Sequence, residues 1–336
     1  MIGIGIVGYG YWGPNLARNV ARDRGTTLVA ICDRSPRCLD EARLAFPGII
    51  HTADYNDLLT NPAIDAIIVA TPVSSHFALA QAALCAGKHV LVEKPIAASS
   101  DEVKRLIEIA GARGLVLMVD HTFVFTGAVR KIREVIQEPS FGQPQYYDSA
   151  RANLGNFQPD ANVLWDLAVH DLAIMDFVLG VRPAAVSATG LSHVPGQRVN
   201  TSFVTLYFDA NIIGHISVNW LSPVKIRRTL VGGSGKMIVY DDLETSEKVK
   251  VFDSGITVAP ERREVYDILI SYRTGDMWAP KVDSTEALQL LIKHFRECIA
   301  EGTTPLCGGE EGLAVVRALE AADQSLQRRG APVSLR

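Results

Sequence analysis

The 336-residue chain has only five cysteines, Cys32, Cys38, Cys85, Cys298 and Cys307, an odd number with no CxxC pair among them. That scatter argues against both a disulfide framework and a zinc site, so each is read as a reduced core or surface residue. No apolar run approaches the roughly 18 residues of a membrane span. The opening MIGIGIVGYG has neither the basic flank nor the cleavage site of a secretory signal, and a cytoplasmic location is expected. Charge of either sign is in short supply as well: 33 Lys and Arg against 37 Asp and Glu leave a net −4. With no basic run to grip nucleic acid or anionic lipid, the expected partner is a small molecule. His51, His89, His193, His215 and His294 lack partners at metal-ligand spacing, and no metal is expected.

What the chain does have is apolar content, 48% of its residues, enough for two cores at this length. The stretch IGIGIVGYGYWGPNLARNVAR reads as strand, glycine turn and helix, with Gly8, Gly10 and Gly13 in the spacing GxGxxG. In that setting the first glycine makes the turn, the second admits a pyrophosphate to the backbone and the third packs helix on strand. The anion would sit at the helix N-terminus, where unpaired N–H groups and the dipole favour it. A second strand, TLVAIC at 27–32, ends in Asp33, placed to accept hydrogen bonds from an adenosine ribose.

Strand-like runs recur at AIIVA (66–70), HVLVE (89–93) and LVLMV (115–119), separated by helical stretches at 74–86 and 99–111. This alternation predicts a doubly wound parallel sheet, an α/β Rossmann domain over residues 1–122. Ligands of such sheets bind beyond the carboxyl ends of the strands, which directs attention to Thr71 and Pro72, to Glu93, Lys94 and Pro95, and to His121 and Thr122. A turn or capping role explains Thr71 as well as cofactor contact does. Glu93 is placed either to orient Lys94 or simply to pair with it.

Beyond residue 122 the pattern changes to a helix near 126–137, six alternating strands between 145 and 252, and helices near 284–301 and 310–328. An α+β domain over 123–336, built on a large and mostly antiparallel sheet, is expected. GGSGK at 232–236 fails the phosphate-loop pattern and reads as a hairpin turn. The apolar stretch VLWDLAVHDLAIMDFVLG (163–180) predicts a helix ending at Gly180, with Asp166 and His170 one turn apart on one face. In isolation they suit a helix cap and a core histidine; in context they suit acid–base work, since an imidazole titrates near neutrality and a carboxylate orients it.

GYGYWG (8–13), ATP (70–72), VEKP (92–95) and WDLAVHD (165–171), in that order, resemble the glucose-fructose oxidoreductase, inositol dehydrogenase and MocA family over nearly the whole chain. The resemblance implies a nicotinamide-dependent oxidoreductase acting on a sugar or cyclitol, with Lys94, Asp166 and His170 as the catalytic set. It implies that Gly8, Gly10, Gly13, Asp33, Thr71, His76 and Glu93 contact or support the dinucleotide, with Tyr11, Trp12, Arg34, Pro72, Lys94 and Trp165 beside them. NAD is expected, because Asp33 repels a 2′-phosphate, although Arg34 is placed to grip one. Whether Lys94 or His170 is the formal base stays open. The loop at 155–163, with Asn156, Gln158, Asp160 and Asn162, is expected to line the sugar pocket, and the second domain's sheet to join a homodimer or homotetramer. Two other readings stand beside an NAD-dependent dehydrogenase forming a C3 ketone: an NADPH-dependent keto-sugar reductase, and a dinucleotide-binding regulator without turnover.

Overall fold

The computed structural model describes residues 1–155, 157, 161–258 and 270–336. Six short apolar segments form one parallel sheet: β1 (Ile2–Val7), β2 (Thr26–Cys32), β3 (Ile50–Thr52), β4 (Ala66–Val69), β5 (His89–Glu93) and β6 (Leu117–Asp120). Their order, β3-β2-β1-β4-β5-β6, reverses between β1 and β4, which opens the crevice where such sheets bind ligands. The connecting helices are α1 (Gly13–Arg22), α2 (Pro36–Ala45), α3 (Asn56–Thr60), α4 (His76–Cys85) and α5 (Ser100–Arg113). β3 and α3 are too short to show a period in the sequence.

The second unit holds α6 (Gly127–Gln137), β7 (Pro144–Leu154), a π-helical turn at Leu164–Ala168, and α7 (Val169–Leu179). β8 (Ala185–Leu191), β9 (Thr201–Tyr207), β10 (Ile213–Asn219), β11 (Leu221–Gly233), β12 (Met237–Asp241) and β13 (Val249–Phe252) follow. β14 (Gly255–Val258) pairs with β15 (Ile270–Arg273) by itself, and β16 (Met277–Trp278) joins β13. After α8 (Ala287–Glu301) and α9 (Gly309–Gln327), β17 (Val333–Ser334) closes on β8. The nine-stranded sheet runs β16-β13-β12-β11-β7-β10-β9-β8-β17 and is antiparallel except where β10 meets β7. Alternation sorts its faces: Val204, Leu206, Ile216 and Val218 are buried, whereas Phe203, Tyr207 and Ile213 are exposed on the other side. GGSGK is the turn between β11 and β12.

One expectation needs correction. A single cut at residue 122 does not divide the chain, because residues 285–320 return to the first unit, which comprises 1–125 and 285–320. The cause is packing on α1 and β6. Glu286 accepts from both guanidinium nitrogens of Arg18 (2.6 and 2.9 Å) and from Asn19 (3.0 Å), Arg296 pairs with Asp23 (3.0 Å), and Val119 N–H donates to Cys307 (2.8 Å). The second unit is 126–284 with 321–336.

Candidate active site

In the first unit the glycine turn leaves β1 at the switch point. Gly8 has φ +98°, and a Cβ there would lie 2.4 Å from the Ala70 carbonyl oxygen, so the two loops of the crevice meet backbone to backbone. Gly13 is as crowded, with a Cβ 2.4 Å from the Gly8 oxygen. Gly10 differs: nothing lies within 4 Å of where its Cβ would be. The turn requires Gly8 and Gly13, whereas at Gly10 the missing side chain leaves open backbone. α1 begins after Trp12 without a side-chain cap, so its first amides are free of side-chain acceptors there. Tyr11, 87% exposed, and Trp12 meet edge to face beside this turn. Asp33, just past β2, is held by the amides of Tyr9 (2.6 Å) and Ser35 (2.8 Å), with exposed Arg34 next to it. These residues fit the pyrophosphate and adenosine ribose of a dinucleotide.

The ATP and EKP turns are tied together from below. His76, buried at the start of α4, places Nε2 2.7 Å from the Thr71 carbonyl oxygen and Nδ1 2.8 Å from that of Pro95. Its place is therefore a strut beneath the loops. The Thr71 hydroxyl accepts from Ser75 (2.7 Å), the turn role its sequence allowed, and Pro72 opens the single 3₁₀ turn that follows.

Beside Lys94 lies a cluster of buried titratable groups. Glu93 and Asp120 are register partners at the ends of β5 and β6, 7% and 1% exposed. Glu93 accepts from the Lys94 amide (2.9 Å), and Asp120 Oδ1 accepts from the Thr122 hydroxyl (2.5 Å). Among the described residues Asp120 Oδ2 has no hydrogen-bond partner. Burial raises both carboxyls, and the Asp120 charge raises Glu93 further, so the pair holds a proton above the usual carboxylate range. His121, 3% exposed and with no partner for either ring nitrogen among the described residues, is pushed down to about 4 by burial and by the Lys94 charge. Asp120 escapes notice because it lies between the apolar run at 115–119 and His121; only its register with Glu93 marks it.

In the second unit Asp166 and His170 are both half-buried, but Asp166 is no helix cap. α7 starts after Ala168 without a side-chain cap, and Asp166 lies in the π-helical turn before it, a distortion frequent at functional sites. Its Oδ2 accepts from the indole N–H of Trp220 (3.0 Å), a residue that nothing in the local sequence singles out. Trp165 donates to Asp323 (2.6 Å), and Asn162 accepts from the amides of Leu164 and Trp165 (3.0 and 3.3 Å) while donating to Asp323 (2.7 Å). Asn162 thus builds the turn, whereas Asn156, Gln158 and Asp160 lie outside the described residues. Next to His170, Asp171 is buried and takes two hydrogen bonds from Arg151 on β7 (2.7 and 3.2 Å), anchoring α7 to the sheet. Among the described residues no cluster of His, Cys, Asp and Glu could hold a metal ion, and no helix is long and apolar enough to cross a membrane.

Comparison with known proteins agrees with this architecture. Residues 2–121 match the model of the oxidoreductase family with an NAD-binding Rossmann fold, and residues 129–239 match the C-terminal domain model of the glucose-fructose oxidoreductase, inositol dehydrogenase and MocA proteins. The chain belongs to this family. It is an NAD(P)-dependent oxidoreductase. Similar to it are a UDP-N-acetylglucosamine 3-dehydrogenase of Acidithiobacillus ferrooxidans, 27% identical over 94% of both chains, and a scyllo-inositol 2-dehydrogenase (NAD(+)) of Bacillus subtilis, 25% identical over 100% of this chain and 95% of the other. The solved structure of the A. ferrooxidans enzyme shares the fold with a TM-score of 0.82 at 23% identity, covering 98% of each chain. An Agrobacterium radiobacter oxidoreductase in complex with NAD+, L-tartaric acid and magnesium does so with a TM-score of 0.81 at 18% identity, covering 99% of this chain and 98% of that one.

Proposed function

We propose that this oxidoreductase uses NAD to oxidise a secondary ring hydroxyl, at C3, of a nucleotide sugar or related aminoglycoside-type glycoside. The observation that carries the acid–base part is the place of Asp166, on a π-helical turn one turn before His170 with its carboxylate oriented by Trp220. His170 takes the hydroxyl proton, Asp166 orients the imidazole, and Lys94 donates a hydrogen bond to the same substrate oxygen, stabilising its developing charge. The bound dinucleotide supplies the hydride acceptor. Asp33, anchored by two amides, accepts from the ribose hydroxyls and repels a 2′-phosphate, which favours NAD. The similarity to a UDP-N-acetylglucosamine 3-dehydrogenase along the chain supports the choice of C3. A cyclitol substrate is the second reading, supported by the likeness to a scyllo-inositol 2-dehydrogenase over the full chain. Exposed Phe203, Tyr207 and Ile213 on the outer face of the nine-stranded sheet support a homodimer or homotetramer, for which light scattering at micromolar concentration is the measurement; a monomer would rule it out.

The test supplies nucleotide sugars, free cyclitols and aminoglycoside-type glycosides with NAD or NADP, follows reduced cofactor, and locates the new carbonyl by NMR. A 3-keto sugar formed with NAD is expected. A cyclitol ketone selects the second reading. Reaction of primary alcohols only, or reduction of a keto sugar by NADPH far faster than any oxidation, overturns the proposal.

A further inference from the structure

Trp220 sits at the joint between β10 and β11, 1% exposed and held by two other segments. Its amide donates to the Asn200 carbonyl (2.9 Å), its carbonyl accepts from the Gly155 amide (2.9 Å), and the Phe157 ring lies edge-on at 5.4 Å. A Cβ at Gly155 would stand 2.3 Å from the indole, so the ring fills the space that glycine leaves. From this seat the indole N–H reaches Asp166 Oδ2 at 3.0 Å. The turn that carries Asp166 is fastened separately, through Asn162, Trp165 and Asp323.

A carboxylate turns about a broad, two-fold torsion, and in doing so exchanges which oxygen meets a neighbour. An indole is a donor only and does not titrate near neutrality, so it holds one oxygen without competing for the proton that the site must move. We propose that Trp220 is a positioning residue for the reaction: its N–H fixes Oδ2 of Asp166, so that the other oxygen accepts the N–H of His170 and the imidazole is turned with its second nitrogen towards the substrate hydroxyl. The proposal rests on the reading of Asp166 and His170 as the acid–base pair. Its signature lies in Asp166→Asn. There the indole claims the amide oxygen and turns the NH₂ towards His170, imposing the wrong tautomer. Removing the indole N–H then frees the amide to flip.

Trp220→Phe keeps a ring and deletes the donor. In the wild-type background kcat is expected to fall about 10- to 100-fold, the contribution of one hydrogen bond to a charged group, with KM and NAD affinity changed by less than about twofold. In the Asp166→Asn background the same change is expected to cost nothing and to restore kcat by up to several-fold. An equal loss in both backgrounds means that Trp220 only packs, and overturns the proposal. Ring ¹⁵N shifts of His170 provide a readout that needs no substrate: one tautomer in the wild type and a mixture in Trp220→Phe are expected, and an unchanged tautomer overturns the proposal. If the sugar screen fails while the tautomer follows Trp220, the substrate reading falls and the positioning stands. If sugar is oxidised and the losses are additive, the positioning alone falls. Should Trp220→Phe not fold, the indole proton of Trp220 decides. Asp166→Asn should move it upfield as a charged acceptor becomes neutral, and an unmoved signal overturns the proposal.

Discussion

Lys94 and His170 reach their positions by different means. Lys94 follows the last residue of β5 in a parallel sheet whose strand order alone puts that residue at the ligand-binding edge. His170 stands in the first turn of α7, a helix whose placement depends on a π-helical turn, an Arg151–Asp171 pair and hydrogen bonds from residues far along the chain. Topology positions the first residue, and individual side chains position the second. The same contrast predicts how each half fails: the first tolerates changes in neighbouring side chains better than changes in its turn glycines, and the second does the reverse.

The largest effects are expected at the two residues themselves. Lys94→Met and His170→Ala should each lower turnover by about 100- to 10,000-fold while NAD affinity stays near normal, measured by steady-state kinetics and cofactor titration. Near-normal turnover in both would remove their proposed roles and the comparison with them. Next comes the anchor of α7. Asp171→Ala leaves Arg151 buried without its carboxylate and should cost about 3–5 kcal/mol in denaturant unfolding, whereas replacing the pair together by Met and Leu should recover most of that loss. A cost below about 1 kcal/mol would show that the second unit does not depend on this contact.

Within the first unit the glycines separate. Gly8→Ala forces φ +98° on a residue with a Cβ against the Ala70 oxygen and should lower thermal stability and dinucleotide affinity together. Gly10→Ala meets no atom and should leave the melting temperature alone while weakening NAD binding by about tenfold or more, because the methyl stands where the pyrophosphate approaches. Equal NAD affinity in Gly10→Ala and the wild type would contradict that placement. The smallest effect concerns His121. Its folded-state affinity for a proton is depressed, so stability is full above the ordinary histidine range and is lost as pH falls from about 6.5 towards about 4. His121→Phe should remove that loss, widening its melting advantage by a few degrees across this window. Glu93 and Asp120, raised instead of lowered, act oppositely and lose stability as pH rises, so the comparison is read as variant minus wild type at each pH. A pH-independent difference would show that His121 is not desolvated.

The first unit was legible because a parallel sheet repeats one device: each apolar run ends at the site, and period and glycine spacing suffice to find Gly8, Asp33, Glu93 and Lys94. Where two strands meet side by side the sequence is silent, and Asp120, next after the apolar run at 115–119, draws no attention. In the second unit the Asp166–His170 spacing was visible, but its support was not. Trp220 lies 54 residues from Asp166, Asp323 lies 158 residues from Trp165, and no local pattern encodes such pairings. β8 was missed because its buried positions are only Val186 and Ala188, too little apolar weight to stand out. The return of residues 285–320 was missed for the same reason as Trp220: Arg18 and Glu286 are 268 positions apart.

That last separation has a bearing on how the protein is made. During synthesis the dinucleotide-binding sheet is complete once β6 has emerged, yet the partner that covers α1 is more than 160 residues behind it on the ribosome, about 8–33 seconds at ordinary elongation rates. Through that interval Arg18, Asn19 and Asp23 at α1 and the Val119 amide of β6 lack the partners that residues 285–320 bring, and the intervening unit has to be laid down first. A chain terminated before α8 would therefore keep these groups without those partners permanently.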